Sequence, residues 1–214
     1  MYLMLWGRRA PPRFSVSHGL NPRVEDFISM QEFASAILRP DCLAGGELRV
    51  TASPKGVRRV ELFEAAPTPP GRPPRRTENS ACEILERACA ELDRYFSGEK
   101  ITFRSPLDFD GSGTPFQLRV WKALFEIPRG EFRTYGELAV RVGSPRAARA
   151  VGQAVGKNPL PVIFPCHRVI SGDGRLGGFS CGVRLKVFLL ELEGLAGVGN
   201  LPLPGSRWSA LRMS

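Results

Sequence analysis

Histidine is almost absent from this chain, which carries only His18 and His167 in 214 residues. Cysteine is sparse and unpatterned: Cys42, Cys82, Cys89, Cys166 and Cys181 form an odd set with no Cys-x-x-Cys pair. Such a set does not read as a disulfide framework, and its spacing to the two histidines offers no zinc site, so no metal is expected. Long apolar runs are missing as well. The stretch from Met1 to Trp6 is apolar but far too short for a signal-peptide core or a membrane span. Reduced thiols without a targeting segment predict a cytoplasmic protein with no membrane partner. Acidic residues are in deficit, 21 against 30 lysines and arginines, which leaves a formal charge of +9. That surplus favours polyanionic partners, nucleic acid among them, without selecting one.

The length suits one large or two small domains. Residues 1 to about 40 are rich in arginine and proline, show no sustained periodicity, and are expected to form a poorly packed extension, with Met30 as a second candidate start. Glu47 to Thr51, a turn at Ser53-Pro54-Lys55-Gly56 and Val57 to Phe63 alternate as a β-hairpin. The run from Pro67 to Pro74 reads as a loop, and Ala81 to Phe96 has helical spacing, with Gly98 just past its end. Phe116 to Ile127 reads as a helix turning Val120, Trp121, Leu124 and Phe125 to a core. Two short helices follow, Tyr135 to Val142 and Pro145 to Val155, the second capped by Ser144 with Pro145 in its first turn. That is a helix-turn-helix pattern, a weak sign of DNA binding by itself. Its second helix is unusual: Ala147, Ala148, Ala150 and Gly152 surround Arg146 and Arg149. Small side chains allow a backbone to approach a groove, or simply another helix. Lys186 to Glu193 reads as a last helix, and the segment from Leu195 to Ser214 as a loosely ordered tail.

The chemistry concentrates in Ile163-Phe164-Pro165-Cys166-His167-Arg168-Val169-Ile170. Pro165 fixes a bend, apolar neighbours bury the thiol, and an adjacent imidazole can accept its proton. A bare Cys-His pair would still be weak, since buried cysteine is more often a small hydrophobe than a nucleophile. The surroundings decide. Thr114-Pro115-Phe116-Gln117, Val120-Trp121, Ile127-Pro128-Arg129-Gly130, Thr134 to Ala139, Arg146 to Gly152, Asn158-Pro159-Leu160-Pro161, the Cys-His segment, Gly177-Gly178-Phe179-Ser180 and Lys186 to Glu193 occur in order. Over these eighty or so residues the chain resembles the O6-alkylguanine-DNA alkyltransferases, also called methylated-DNA–protein-cysteine methyltransferases.

The resemblance implies an α/β protein of two domains: a small ribonuclease-H-like α/β domain over 41–110, and a mainly helical, winged-helix-like domain with a helix-turn-helix over 111–194. It implies one irreversible transfer of the alkyl group of O6-alkylguanine, and of O4-alkylthymine, from duplex DNA to Cys166. The damaged base is first flipped out through the minor groove. No cofactor is implied, and the protein would act as a monomer. His167 would take the thiol proton through a water, oriented by Glu193, in hydrolase-triad fashion. Tyr135 would crowd the phosphate and bond the flipped base, and Asn158 would tie backbone beneath the site. Arg149 would enter the stack from a helix whose Ala147, Ala148, Ala150 and Gly152 lie on the DNA. Pro161, Val169, Gly177, Phe179 and Ser180 would line the pocket. Cys181 departs from the glycine usual after the Gly-Phe-Ser segment, and a side chain there is expected to narrow the rim or point to solvent. Alkyltransferase-like proteins that bind lesions without repairing them lack the acceptor cysteine, and Cys166 argues against that class. A regulator carrying a metal-binding repair domain would need a cysteine cluster before residue 111, where none is seen.

Overall fold

Alternating side chains build the first layer. The computed structural model describes residues 24–30, 33–43, 46–63 and 80–195. Four antiparallel strands, β1 (Val24–Met30), β2 (Phe33–Leu38), β3 (Glu47–Ser53) and β4 (Gly56–Phe63), pair in chain order. One face turns Ala34, Ala36, Leu38, Leu48, Val50, Val60 and Leu62 inward, all buried. Against it lies α1 (Ser80–Phe96), burying Leu85, Ala88, Leu92 and Phe96 of the face its spacing predicts, with Ala81 and Cys89 beside them and Ile84 half-buried. The β3–β4 hairpin is the one expected, with Val50 opposite Val60 and a register shift after Thr51.

One expectation fails here. The stretch taken as a poorly packed extension ends in two strands, and the boundary drawn at residue 41 falls inside a sheet whose β2 and β3 pair along their length. Strand β2 does alternate half-buried and buried positions. Its inward residues are small alanines and a leucine, so the β-branched signal that marks a strand is weak. The Pro-rich loop and the tail beyond Leu195 lie outside the described residues.

Residues 106–108 lie parallel beside β4 and partly pair its open edge: Val57 receives from Asp108 N at 2.9 Å and donates to Pro106 O at 2.7 Å. Beyond them stands α2 (Pro115–Phe125), opened by Thr114 and Gln117 bonding each other's backbone reciprocally. Trp121, 1 % exposed, donates its indole N–H to Ala154 O at 2.9 Å and so binds α2 to a later helix. Phe125 does not face the core as expected; it is 44 % exposed and meets Phe164 edge-on.

Helix α3 (Tyr135–Arg141) has a second reciprocal cap, Thr134 with Glu137. The next helix, α4, spans Ala148–Gly156, three residues later than the cap signal suggested. Ser144 accepts from Ala147 N at 2.9 Å in a turn through Pro145 and Arg146, and the helix starts after it, with no side-chain cap. A single 3-10 turn, Cys166–Arg168, leads into β6 (Val169–Ile170), parallel to β5 (Arg133–Thr134). The last helix, α5 (Val183–Leu192), begins a turn earlier than read, after Gly182 at φ +96°. Glu193 is its C-terminal cap. The whole is a mixed α/β structure, sheet and α1 first, helices after.

Candidate active site

The loop before the cysteine is built by one asparagine. Asn158 accepts from Leu160 N at 3.0 Å and donates to Phe164 O at 2.8 Å, so residues 158–164 fold back on themselves. Within that loop Val162 sits at φ 75°, a left-handed conformation that a β-branched residue adopts only when its surroundings force it. Strand β4 braces the loop from outside, through Val60 N to Pro159 O at 2.9 Å. Pro165 then ends the loop, and Cys166 N bonds Phe164 O at 2.7 Å. The backbone has therefore aimed one thiol.

That thiol is 3 % exposed and faces a cavity of about 270 Å³. The size is near the lower end of small-molecule sites, roughly 300 Å³, and suits one flat ring system better than a long ligand. Its walls are Tyr135, Gly152, Val155, Gly156, Gly178, Phe179 and Ser180. Burial pushes the Cys166 thiol up to about 12, against a hydrogen bond from Asn158 and the charge of Lys186. At neutral pH it is a protonated thiol, and it becomes a nucleophile only when a base removes its proton.

A base stands beside it. His167 is fully buried, and burial lowers its pKa despite the pull of Glu193. The neutral ring keeps one hydrogen, which its Nε2 bond to Glu193 Oε1 at 2.9 Å assigns to Nε2. Nδ1 is buried without a hydrogen-bond partner and is free to accept a proton. Burial alone would raise the Glu193 carboxyl, but His167 and Arg168 hold it well below the usual carboxylate range. Arg168 grips it with Nε to Oε2 at 2.8 Å and Nη2 to Oε1 at 2.7 Å, while its Nη1 reaches Ile127 O. Lys186 is buried too, its ammonium bonded to Val169 O and Leu176 O, and burial lowers it to about 8. The Tyr135 phenol, raised first by burial, stays a donor.

Cys166, His167, Glu193, Tyr135 and Asn158 thus meet at one place. So do Phe179 and Ser180, on the cavity wall. Pro161 and Val169 do not line it: both are buried behind it, Pro161 bridging to Phe164 and Val169 pairing with Arg133. Gly177, at φ +70°, sits behind the Tyr135 ring, where an added Cβ would lie 3.4 Å from it. Cys181 is neither on the wall nor turned to solvent; it is half-buried, with its thiol on the Leu62 backbone of β4 and 3.8 Å from the Ser180 hydroxyl. Arg149 is exposed in the first turn of α4, with Ala147 and Ala148 half-buried and Ala150 exposed beside it. It shares a helical face with Gly152 and Gly156, three and seven residues on, so the helix leads from an exposed guanidinium to the cavity wall.

Arg168, Lys186 and Tyr95 escaped the sequence reading. Arg168 and Lys186 look like surface charges in sequence, and only burial reveals them. Among the described residues, no helix is long and apolar enough to cross a membrane.

Residues 115–195 match the model of the 6-O-methylguanine DNA methyltransferase DNA-binding domain. The methylated-DNA–protein-cysteine methyltransferase of Methanosarcina barkeri is 45% identical over 156 residues, 72% of this chain and 90% of that protein. Its Mycobacterium leprae namesake is 52% identical over 116 residues, 54% of this chain and 67% of that protein. The crystal structure of Mycobacterium tuberculosis OGT in complex with DNA is similar at a TM-score of 0.59 and 39% identity, covering 72% of this chain and 89% of that one. On likeness of this extent the chain belongs to the methylated-DNA–protein-cysteine methyltransferase family.

Proposed function

We propose that this chain is a methylated-DNA–protein-cysteine S-methyltransferase that repairs O6-alkylguanine, and O4-alkylthymine, in duplex DNA by moving the alkyl group onto Cys166. The observation that carries the reading is the buried thiol lining a cavity, next in sequence to an imidazole whose one free nitrogen is an acceptor. The alkylated atom of a stacked base cannot reach such a cavity, so the nucleotide is flipped out, at a cost of a few kcal/mol. Arg149 fills the space it leaves, entering from the minor groove on a helix-turn-helix formed by α3 and α4. Ala147, Ala148, Ala150 and Gly152 let that helix lie close to the DNA.

The thiol proton passes to His167 Nδ1, through a water, as Glu193 stabilises the imidazolium. The sulfur attacks the alkyl carbon, an S–C bond forms, the C–O bond breaks, and its electron pair returns to the base. Tyr135 donates to the ring as that charge develops, and backbone amides near Ser180 serve the oxygen. Asn158 holds the loop beneath, while Phe179 and Ser180 shape the pocket, backed by Pro161, Val169 and Gly177. The thioether offers water no activated carbonyl, so each molecule reacts once. The protein works without a cofactor, as a cytoplasmic monomer of two domains, a ribonuclease-H-like one and a winged-helix-like one.

The test is stoichiometric. Duplex DNA carrying a methyl-labelled O6-methylguanine is incubated in excess, and label on protein is counted against time. Transfer should stop at one methyl per chain; continued release of free label, or none transferred, contradicts the proposal.

A further inference from the structure

The Glu193 carboxylate is not held by its own neighbourhood alone. Tyr95, near the end of α1 and 98 residues away in sequence, donates its hydroxyl to Glu193 Oε1 at 2.7 Å and lies 3.5 Å from His167 Nε2. Its ring is 2 % exposed, set edge-on to Phe96 and covered by the Arg129 guanidinium at 5.3 Å from its centroid. Arg129 in turn donates to Gly98 O and Glu99 O past the end of α1, and to Leu192 O at the end of α5. The two helix ends are clamped together around the hydroxyl. Oε1 then takes three donors, Tyr95, His167 and Arg168, more than its lone pairs serve equally.

We propose that Tyr95 is a positioning residue for alkyl transfer, which makes the α1–sheet half of the molecule part of the proton relay and not only its scaffold. Its hydroxyl fixes Oε1 and takes up part of the carboxylate's charge, so that His167 is oriented without being made too basic. This rests on the alkyl-transfer reading above. The groups facing His167 are Glu193 and Lys186 from the α5 segment, Arg168 from its own turn, and Tyr95 from α1. Tyr95 itself faces Glu193, Arg168 and Arg129.

Removing the hydroxyl leaves Oε1 more negative toward the imidazole, which raises the pKa of His167. A neutral base with a higher pKa is lost at higher pH on acidification. In Tyr95→Phe, the acid limb of the transfer rate should move up by roughly half to one pH unit, and the plateau should fall on the order of ten-fold. The rate is read as inactivation by methylguanine-bearing duplex, from pH 5 to 9 on wild type and variant. Replacing Tyr95 with a fluorotyrosine, a stronger donor of the same shape, should move the limb the other way, and serves if the phenylalanine variant folds poorly. Limbs and plateaus that superimpose on wild type overturn the proposal. If wild type transfers nothing, the repair reading itself fails.

Discussion

Glu193→Ala is expected to abolish measurable alkyl transfer and to destabilise the protein by about 3–5 kcal/mol, the usual cost of leaving a buried charge without its partner. The substitution strands Arg168, 9 % exposed, along with the Tyr95 hydroxyl and His167 Nε2, all of which bond that carboxylate now. Against a total stability of about 5–15 kcal/mol, the loss is large, and thermal unfolding should shift down by about 10 °C. The carboxylate also ties stability to pH. A carboxyl held below its usual range stabilises the fold above the ordinary carboxylate pKa, and that contribution is lost as pH falls toward the folded value. His167 acts in the same sense, because its lowered pKa means the unfolded chain binds a proton that the fold rejects below about 6.5. Wild-type stability should therefore decline below about pH 6.5, where His167 contributes, and further below the ordinary carboxylate range, about 4.3, where the Glu193→Ala variant should decline less steeply. Calorimetry across that range checks both slopes; parallel curves for the two proteins would contradict the account of this carboxylate.

Arg149→Ala should separate recognition of DNA from chemistry. The residue is exposed on α4, so its loss should change stability by no more than about 0.5 kcal/mol. Reaction with the free base O6-methylguanine should be unaffected, because no duplex has to be opened. Reaction with the same base in duplex DNA should slow by about 10² to 10³, the scale expected if the guanidinium replaces the flipped base within the stack, worth a few kcal/mol. Single-turnover rates on both substrates make the comparison. Equal slowing on both would place Arg149 in the chemistry instead, and no slowing on duplex would remove it from DNA opening.

Both predictions start from residues that the sequence marks differently. The helices, the hairpin and the Cys166-His167 pair are legible because their signals are local: a stripe, an alternation, a proline beside a thiol. Thr114 and Thr134 cap their helices together with the glutamine and glutamate three residues on, a pairing that went unread. Ser144 announces a cap it does not make, because Pro145 and Arg146 are used up in a turn. Strand β2 is hidden by its alanines. The polar cluster is the least legible part. Arg168, Lys186 and Tyr95 are ordinary letters until the fold buries them against Glu193, Val169 O and one another, and such pairings, up to 98 positions apart, leave no periodic trace. The pocket wall mixes the two cases. Gly178, Phe179 and Ser180 belong to a readable segment, whereas Val155 and Gly156 take their place only because α4 and the 177–180 segment face each other across the thiol. Cys181 shows the limit of reading a rim from one position: its side chain goes to β4 and is not on the cavity wall.

Repair by this chain requires that Cys166, and no other sulfur, receive the alkyl group. Intact-protein mass spectrometry after incubation with methylguanine-bearing duplex decides it directly, with wild type, Cys166→Ala and Cys181→Ala side by side. Wild type and Cys181→Ala should each gain the mass of a single methylene and no more, and Cys166→Ala should gain nothing. A mass gain that survives in Cys166→Ala, or an unmodified wild-type protein after the duplex has lost its methyl group, would contradict it.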